Sequence, residues 1–245
     1  MSEAVFATHA RGSSLYLAIK SQLIQDIESG AVAPGEALPN ERELAKRFDV
    51  AIGTLRRAVD ELVAEGILVR QQGRGTFVRL QDREQFMFQF FKIAARDGAR
   101  EFPSVKTESF AKARASQEEA QALGIQAGQP VFRIRNVLSL SGKPAIVDQI
   151  VMAEALFEGL TRKRYEARSS TIYALYQSGF GVTVVGGVER VRAVDCDVFA
   201  AEVFGIEPGR PVLRIERIAH TFGAKPAEFR ISVINTEHFD YVSNL

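Results

Sequence analysis

The sequence holds a single cysteine, Cys196, among 245 residues, so it can form no internal disulfide and offers too few thiolates for a zinc site. Its three histidines, His9, His220 and His238, are too scattered for metal-ligand spacing, and neither a metal nor a cofactor is expected. No stretch approaches the ~18 uninterrupted apolar residues of a membrane helix, and the opening MSEAVFATHARGSS lacks a basic end followed by an apolar run. Secretion and membrane spanning are therefore not expected, and a cytoplasmic setting is. An excess of one charge is also missing. With 31 Lys and Arg against 30 Asp and Glu, a nucleic-acid role would have to come from local sorting of charge. The sequence lacks a glycine-rich phosphate loop, a nucleophile elbow and an obvious Ser/His/Asp set, so no catalytic residue is nominated. What remains is 46% hydrophobic and 25% charged, enough for a packed core. At about 100 to 200 residues per domain, this length fits one large domain or two modest ones.

Over residues 15–29 the apolar Tyr16, Ile19, Leu23 and Ile27 recur at steps of three or four. This pattern predicts an amphipathic helix capped by Ser13 or Ser14 and left through Gly30. Asn40, followed three residues later by Glu43, reads as a capping box that opens a second helix ending near Phe48. After a turn at Asp49 and Val50, a third helix places Leu55, Val59 and Leu62 on one face and stops at Gly66. The segment ILVRQQGRGTFV then reads as a hairpin around Gly73, Arg74 and Gly75. Three helices and a hairpin thus form a first domain over residues 13–79.

Residues 80–104 mix charge with Phe86, Phe88, Phe90 and Phe91, too apolar for a flexible tether, and are expected to pack onto the C-terminal part of the chain. In that part, residues 105–245, the chain repeats itself. AQALGIQAGQPVFRIR aligns with AEVFGIEPGRPVLRIE at an offset of 81 with eight identities in sixteen, where composition would supply about one. Gly142-Lys-Pro-Ala is echoed by Gly223-Ala-Lys-Pro-Ala with one residue inserted. Each copy reads as a short helix, a Gly turn, an alternating strand and a hairpin into another strand. Two copies are too few for a solenoid and fit two halves of one α+β domain, with a mostly antiparallel sheet and a cleft where the halves meet.

Charge in the first domain is sorted although its sum is small. Arg42, Lys46, Arg47, Arg56, Arg57, Arg70 and Arg74 fall on the second helix, the start of the third and the hairpin. Asp26, Glu28, Asp60, Glu61 and Glu65 fall on the first helix and the far end of the third. A helix entering a major groove needs basic and small polar groups at its leading end, here Thr54, Arg56 and Arg57, and acids behind. The hairpin tip would set Arg74 beside the backbone or minor groove. For any one arginine, a solvated surface position explains it as well; the joint arrangement is harder to explain that way.

This segment resembles the winged helix-turn-helix of the GntR family of bacterial transcription regulators, through its "PG" turn, "LPNERELA", "TLRRAVDEL", "EGILV" and "GRGTFV". The resemblance implies DNA contacts from Arg42, Arg56 and the wing tip Gly73, Arg74 and Gly75; Asn40, Thr54 and Arg57 complete the expected DNA-facing set. Where family members commonly read Ser-Arg-x-Thr, this chain reads Ala51-Ile52-Gly53-Thr54, so it lacks the usual N-cap hydroxyl and one base-reading Arg.

The second half is similar to the UTRA effector domain of the HutC branch, through "LGIQAGQPVFRIR", "SSTIYALY", "FGIEPGRPVLRIERIAH" and "KPAEFRISV". That likeness implies a chorismate lyase-like α+β fold holding a small metabolite, with ligand contacts at Thr171, Tyr173 and Glu228. An Arg pair common in the family falls here on Asn136 and Leu138. Arg133 and Arg135 stand nearby, but on an alternating strand they face away from 136 and 138 unless a bulge intervenes. The effector set expected is therefore Arg133, Asn136, Thr171, Tyr173 and Glu228, with strongly anionic ligands disfavoured. From the residues alone, Tyr173 and Tyr176 fit a helix core, Glu228 fits a surface carboxylate paired with Arg230, and Cys196 fits a small buried hydrophobe. The expected protein is a homodimeric regulator, more often a repressor, that binds double-stranded DNA at a palindromic operator and senses a small-molecule effector. A small-molecule enzyme and a protein-interaction module without a ligand remain as alternatives.

Overall fold

The computed structural model describes residues 3–243, and among these every side chain except those of residues 3–14, 83, 85 and 88. The chain divides into two compact units between Leu80 and Gln81.

In the first unit α1 (Glu3–Glu28) starts well before the serines expected to cap it. The apolar periodicity marks only the stretch that packs, with Ile19, Leu23 and Ile27 buried, so it could not locate the helix start. The Ser13 and Ser14 side chains lie outside the described residues. Helix α2 (Glu41–Arg47) opens on the capping box: the Asn40 side chain accepts from the Glu43 N–H at 2.9 Å, and the Glu43 carboxylate accepts from the Asn40 N–H at 3.1 Å. Helix α3 (Ile52–Ala64) packs against α1 and α2, and it buries Leu55, Ala58, Val59 and Leu62 on one side. Strands β1 (Leu68–Gln71) and β2 (Gly75–Val78) form the antiparallel wing.

The second unit begins with α4 (Arg83–Gln89) and the short β3 (Ile93–Ala95). It continues through β4 (Ser104–Arg114), α5 (Gln117–Leu123), β5 (Pro130–Leu140), β6 (Lys143–Ala153), α6 (Arg162–Glu166) and α7 (Ile172–Phe180). The second copy comprises β7 (Gly186–Asp195), α8 (Val198–Phe204), β8 (Pro211–His220) and β9 (Pro226–Ile234), and β10 (Phe239–Tyr241) pairs back onto β3. The main sheet is antiparallel throughout, in the order β4-β5-β6-β9-β8-β7, so the repeat unit β4-β5-β6 is mirrored by β7-β8-β9 about the β6/β9 junction. At that junction Gln149 pairs with Ile231, and the one-residue insertion makes these two positions equivalent in the copies. A pseudo-two-fold axis therefore passes through the centre of the sheet. Each copy's helix ends in a left-handed glycine, Gly124 (φ 63°) and Gly205 (φ 67°), where a side chain would be strained.

Helices α5 and α8 cover one sheet face, over Val131, Val151 and Phe229 and over Val137, Val147 and Val212. The other face carries Phe132, Ile134, Leu138, Ile150 and Ile215 in one core with Tyr173 and Tyr176 of α7. Phe86, Phe90 and Phe91 join this core, and Phe86 and Phe90 meet the Tyr173 ring edge-on at 5.6 and 4.8 Å. The Phe-rich segment thus packs within the second unit, as its composition predicts. The Phe88 side chain lies outside the described residues.

Gly187 on the edge strand β7 allows a close backbone approach. A Cβ there would lie 2.8 Å from the Ile218 carbonyl oxygen, whereas one at Gly186 meets nothing within 4 Å. Gly187→Ala should destabilise the protein by about 1–3 kcal/mol, and Gly186→Ala far less, in urea unfolding followed by circular dichroism.

Candidate functional site: a basic head and a buried cavity

In the first unit the candidate DNA-facing residues come from α2, α3 and the wing. Arg42, Arg56, Arg57 and Arg74 are all exposed, and Thr54 is half-buried in the first turn of α3. No side chain caps α3 at Ala51, so the missing hydroxyl leaves the leading end of the helix uncapped, with Ile52 exposed. The arginines are not equally available. Arg56 donates from Nε (3.0 Å) and Nη2 (2.7 Å) to one oxygen of Glu41, which holds that carboxyl below the usual range. Arg70 pairs with Asp60 at 2.5 Å, Arg47 pairs with Asp26 at 2.8 Å, and the Arg57 guanidinium lies 4.1 Å over the Tyr16 ring. Arg74 lies over Phe77 at the wing.

In the second unit a small cavity of about 40 Å³ opens over the sheet centre. Its floor is Asn136 and Leu138 of β5, Asp148 and Ile150 of β6, and Arg230 of β9; Phe86, Tyr165, Arg168, Ser170 and Thr171 enclose it. Phe102, Pro103, Val105, Arg168 and Ser170 also line an outer recess that carries Lys106 and Glu166. A second cavity of about 40 Å³ shares Phe86, Leu138, Asp148 and Arg230 with the first and adds Phe90, Arg217, Ser232 and Tyr241. The Asp148–Arg230 pair therefore divides the space under α4 and α7 into two chambers.

This pair belongs to a buried network. Arg230 donates from Nη1 to Asp148 (3.0 Å) and from Nε and Nη2 to the two oxygens of Glu228 (2.9 and 3.0 Å). Glu228 also accepts from the hydroxyls of Tyr173 (3.2 Å) and Tyr176 (2.6 Å), and Ser232 donates to Asp148 at 2.6 Å. Burial alone would raise the Glu228 carboxyl, but Arg230 and Tyr176 outweigh it and hold the group ionised below its usual range. Burial and the Glu228 charge push the Tyr173 hydroxyl up to about 12, so it remains a donor at neutral pH.

Of the expected effector residues, the structure brings Asn136 and Thr171 to the cavity and leaves the other three out. Asn136 is 2% exposed; its Nδ2 donates to the Tyr165 hydroxyl at 2.9 Å, and its Oδ1 has no donor. Thr171 lines the cavity while its hydroxyl accepts from the Ala174 N–H to cap α7. Arg133 lies on the opposite sheet face, clamped to Glu119 of α5 at 2.8–2.9 Å, and Arg135 stacks on Phe199 of α8. The irregularity that could have turned them sits on β4 between Thr107 and Ser109, so β5 keeps its alternation through these residues. Tyr173 and Glu228 are fully buried and spend their polar atoms on each other and on Arg230. Glu228 is thus paired with Arg230 as its strand face suggests, but in the core rather than on the surface.

Asp148, Arg230, Arg168 and Ser170 were not among the expected contacts. Asp148 carried a usable signal, since in AIVDQIV it shares the period-two face of Ile146, Ile150 and Met152, and an acid on a core face needs a buried partner. Among the described residues no group of three or more His, Cys, Asp or Glu is placed to hold a metal, and no helix is long and apolar enough to cross a membrane.

Sequence comparison matches residues 15–78 to the family described as bacterial regulatory proteins, gntR family, and residues 99–240 to the UTRA domain. The chain is 30% identical to a histidine utilization repressor of Pseudomonas putida over 83% of its own length and 81% of that protein. It is 27% identical to the HTH-type transcriptional regulator SmoD of Agrobacterium fabrum, over 97% of this chain and 99% of that one. Among solved structures, a ligand-binding domain assigned to a GntR-family transcriptional regulator of Bordetella bronchiseptica superposes with a TM-score of 0.61 at 33% identity, covering 64% of this chain and 98% of that one.

Removing Glu228 would leave the Nε and Nη2 N–H groups of Arg230 and two tyrosine hydroxyls without their carboxylate acceptor in the core. Glu228→Ala should therefore lower stability by about 3–5 kcal/mol in chemical denaturation of the full chain at neutral pH. A loss below about 1 kcal/mol would show that the network is not structural.

Proposed function

Because the chain belongs to the GntR family of bacterial transcription regulators and carries a UTRA domain, we propose that it is a homodimeric repressor whose α2, α3 and wing grip a palindromic operator and whose cavity over β5, β6 and β9 takes the effector. At the coarser level it is a DNA-binding transcription regulator with a small-molecule effector domain. One head presents one recognition helix, which reads only a few base pairs; a two-fold pair of heads on a two-fold site supplies the remaining affinity.

On the head, Arg42, Arg57 and Arg74 serve as phosphate and groove contacts. Arg56, in the first turns of α3, reads a base, with Asn40, Thr54, Gly73 and Gly75 setting the backbone close to the duplex. The effector reading rests on one observation, that Asn136 lines the cavity and its buried Oδ1 has no donor. An unpaired acceptor in a low-dielectric site costs stability, and a ligand N–H or O–H relieves that cost. Arg168 and Ser170 at the mouth offer donors to the other end of the ligand. The apolar walls and the balance of Asp148 and Glu228 against Arg230 and Arg168 favour a small polar or zwitterionic catabolite over a phosphorylated one. Relatives named for histidine utilization and for fructoselysine utilization support the same broad class.

Arg56→Ala should weaken specific DNA binding about 5- to 150-fold, in fluorescence anisotropy on duplexes selected by the wild-type protein. Equal loss on random duplex would make Arg56 a phosphate contact instead. A thermal-shift screen of amino acids, amines and their breakdown products against the full chain should yield at least one compound that raises its melting point, since a ligand of the native state stabilises it by mass action. Asn136→Leu should abolish that shift and leave DNA affinity unchanged; an undiminished shift would place the ligand elsewhere.

A further inference from the structure

We propose that Glu41 is a positioning residue for base reading, holding Arg56 by one side of its guanidinium so that the outer end is presented to a guanine in the major groove. The inference rests on the DNA-reading function above and adds a residue to it. Glu41 Oε2 takes the Nε–H and one Nη2–H of Arg56, at 3.0 and 2.7 Å. A guanidinium has five N–H groups. Those left over include the outward pair on Nη1 and Nη2, whose spacing matches the O6 and N7 acceptors of guanine. The ion pair thus occupies the one edge of Arg56 that the base does not need.

Two further observations separate this role from an incidental surface pair. The capping of α2 is performed by Asn40 and Glu43, so Glu41 is not needed for it. Its second oxygen lies 3.8 Å from Arg70 of β1, which is itself held by Asp60 of α3 at 2.5 Å. One carboxylate therefore lies between the reading helix and the wing, on a surface whose charged candidate contacts, Arg42, Arg56, Arg57 and Arg74, are basic. There it repels phosphate and weakens binding to any duplex. An exposed ion pair contributes little to stability, whereas an arginine fixed in its reading rotamer discriminates between bases.

The test uses the full-length chain and a library of random-sequence duplexes, selected by binding and read by sequencing, with wild type, Arg56→Ala, Glu41→Ala and Glu41→Gln in parallel. In the wild-type motif, one guanine per half-site should lose its enrichment in Arg56→Ala. Both Glu41 variants should lose enrichment at that same position by about tenfold, keep the remaining positions, and bind unselected duplex as tightly as wild type or more so. Full guanine preference at that position in Glu41→Gln would overturn the proposal. A uniform loss at every position, or a lowered unfolding midpoint in both Glu41 variants, would overturn it too, by making the role structural. If the wild type enriches no motif at all, the DNA-reading premise itself fails, an outcome distinct from either of these.

Discussion

The second unit depends on one buried arrangement of charge, in which the Arg230 guanidinium is shared between Glu228 and Asp148 at the centre of the sheet. Burying three ionised groups is unfavourable unless nearly every lone pair and N–H is satisfied. Here α7 supplies the two tyrosine hydroxyls and β9 the Ser232 hydroxyl that bring the set close to closure. Helix α7, which packs on the centre of the sheet, therefore also satisfies polar atoms there. Misplacing α7 would cost each Glu228 oxygen one of its two donors.

The same arrangement links the duplicated sequence to the cavity. Asp148 and Arg230 occupy equivalent positions in the two copies, one residue before the paired Gln149 and Ile231 that mark the pseudo-two-fold axis. Equivalent positions in the two halves thus carry opposite charges, and the two side chains meet diagonally across the axis. Both line both chambers. A ligand that contacts either of them changes the electrostatics of the bond between the halves, so binding is coupled to the sheet centre without a relay of distant residues. To act as a signal, such a ligand needs a differential affinity between DNA-binding states, typically worth about 1–3 kcal/mol.

Most of the fold was legible because it obeys periodicities that local chemistry enforces. The capping box at Asn40, the buried stripe of α3, the glycine-tipped wing and the repeat with its left-handed glycines arise from residue types at fixed spacing. The cavity was less legible. Alternation along β5 already assigned Arg133 and Asn136 to opposite faces, and the structure keeps them there, so the positive charge near the expected ligand contacts is spent on Glu119. Tyr173 and Glu228 show the opposite difficulty. Their spacing puts them near the site, but whether a polar side chain faces a ligand or closes an internal network depends on partners that are distant in sequence. Arg230 lies 82 residues from Asp148, and Tyr173 lies 55 from Glu228.

The duplication shows where sequence keeps a record of structure and where it does not. The offset of 81 that relates β5 to β8 also relates α5 to α8 and β4 to β7. Yet the identities that reveal it cluster around the glycine turns and the inner strands. Val131 and Val212 are buried on one face, and Ile134 and Ile215 are buried on the other. Strands β4 and β7 are the sheet edges, largely exposed, with Val188 and Val191 facing solvent on β7. An edge residue need only keep the strand extended and discourage unwanted pairing, and many sequences satisfy that. A residue between two packed layers must match both in volume, where one methylene group is felt. Divergence has therefore erased the repeat at the rim and preserved it at the glycine turns and along β5 and β8, whereas at the axis itself residues 146–150 all differ from residues 228–232, and there Asp148 and Arg230 form the cavity floor.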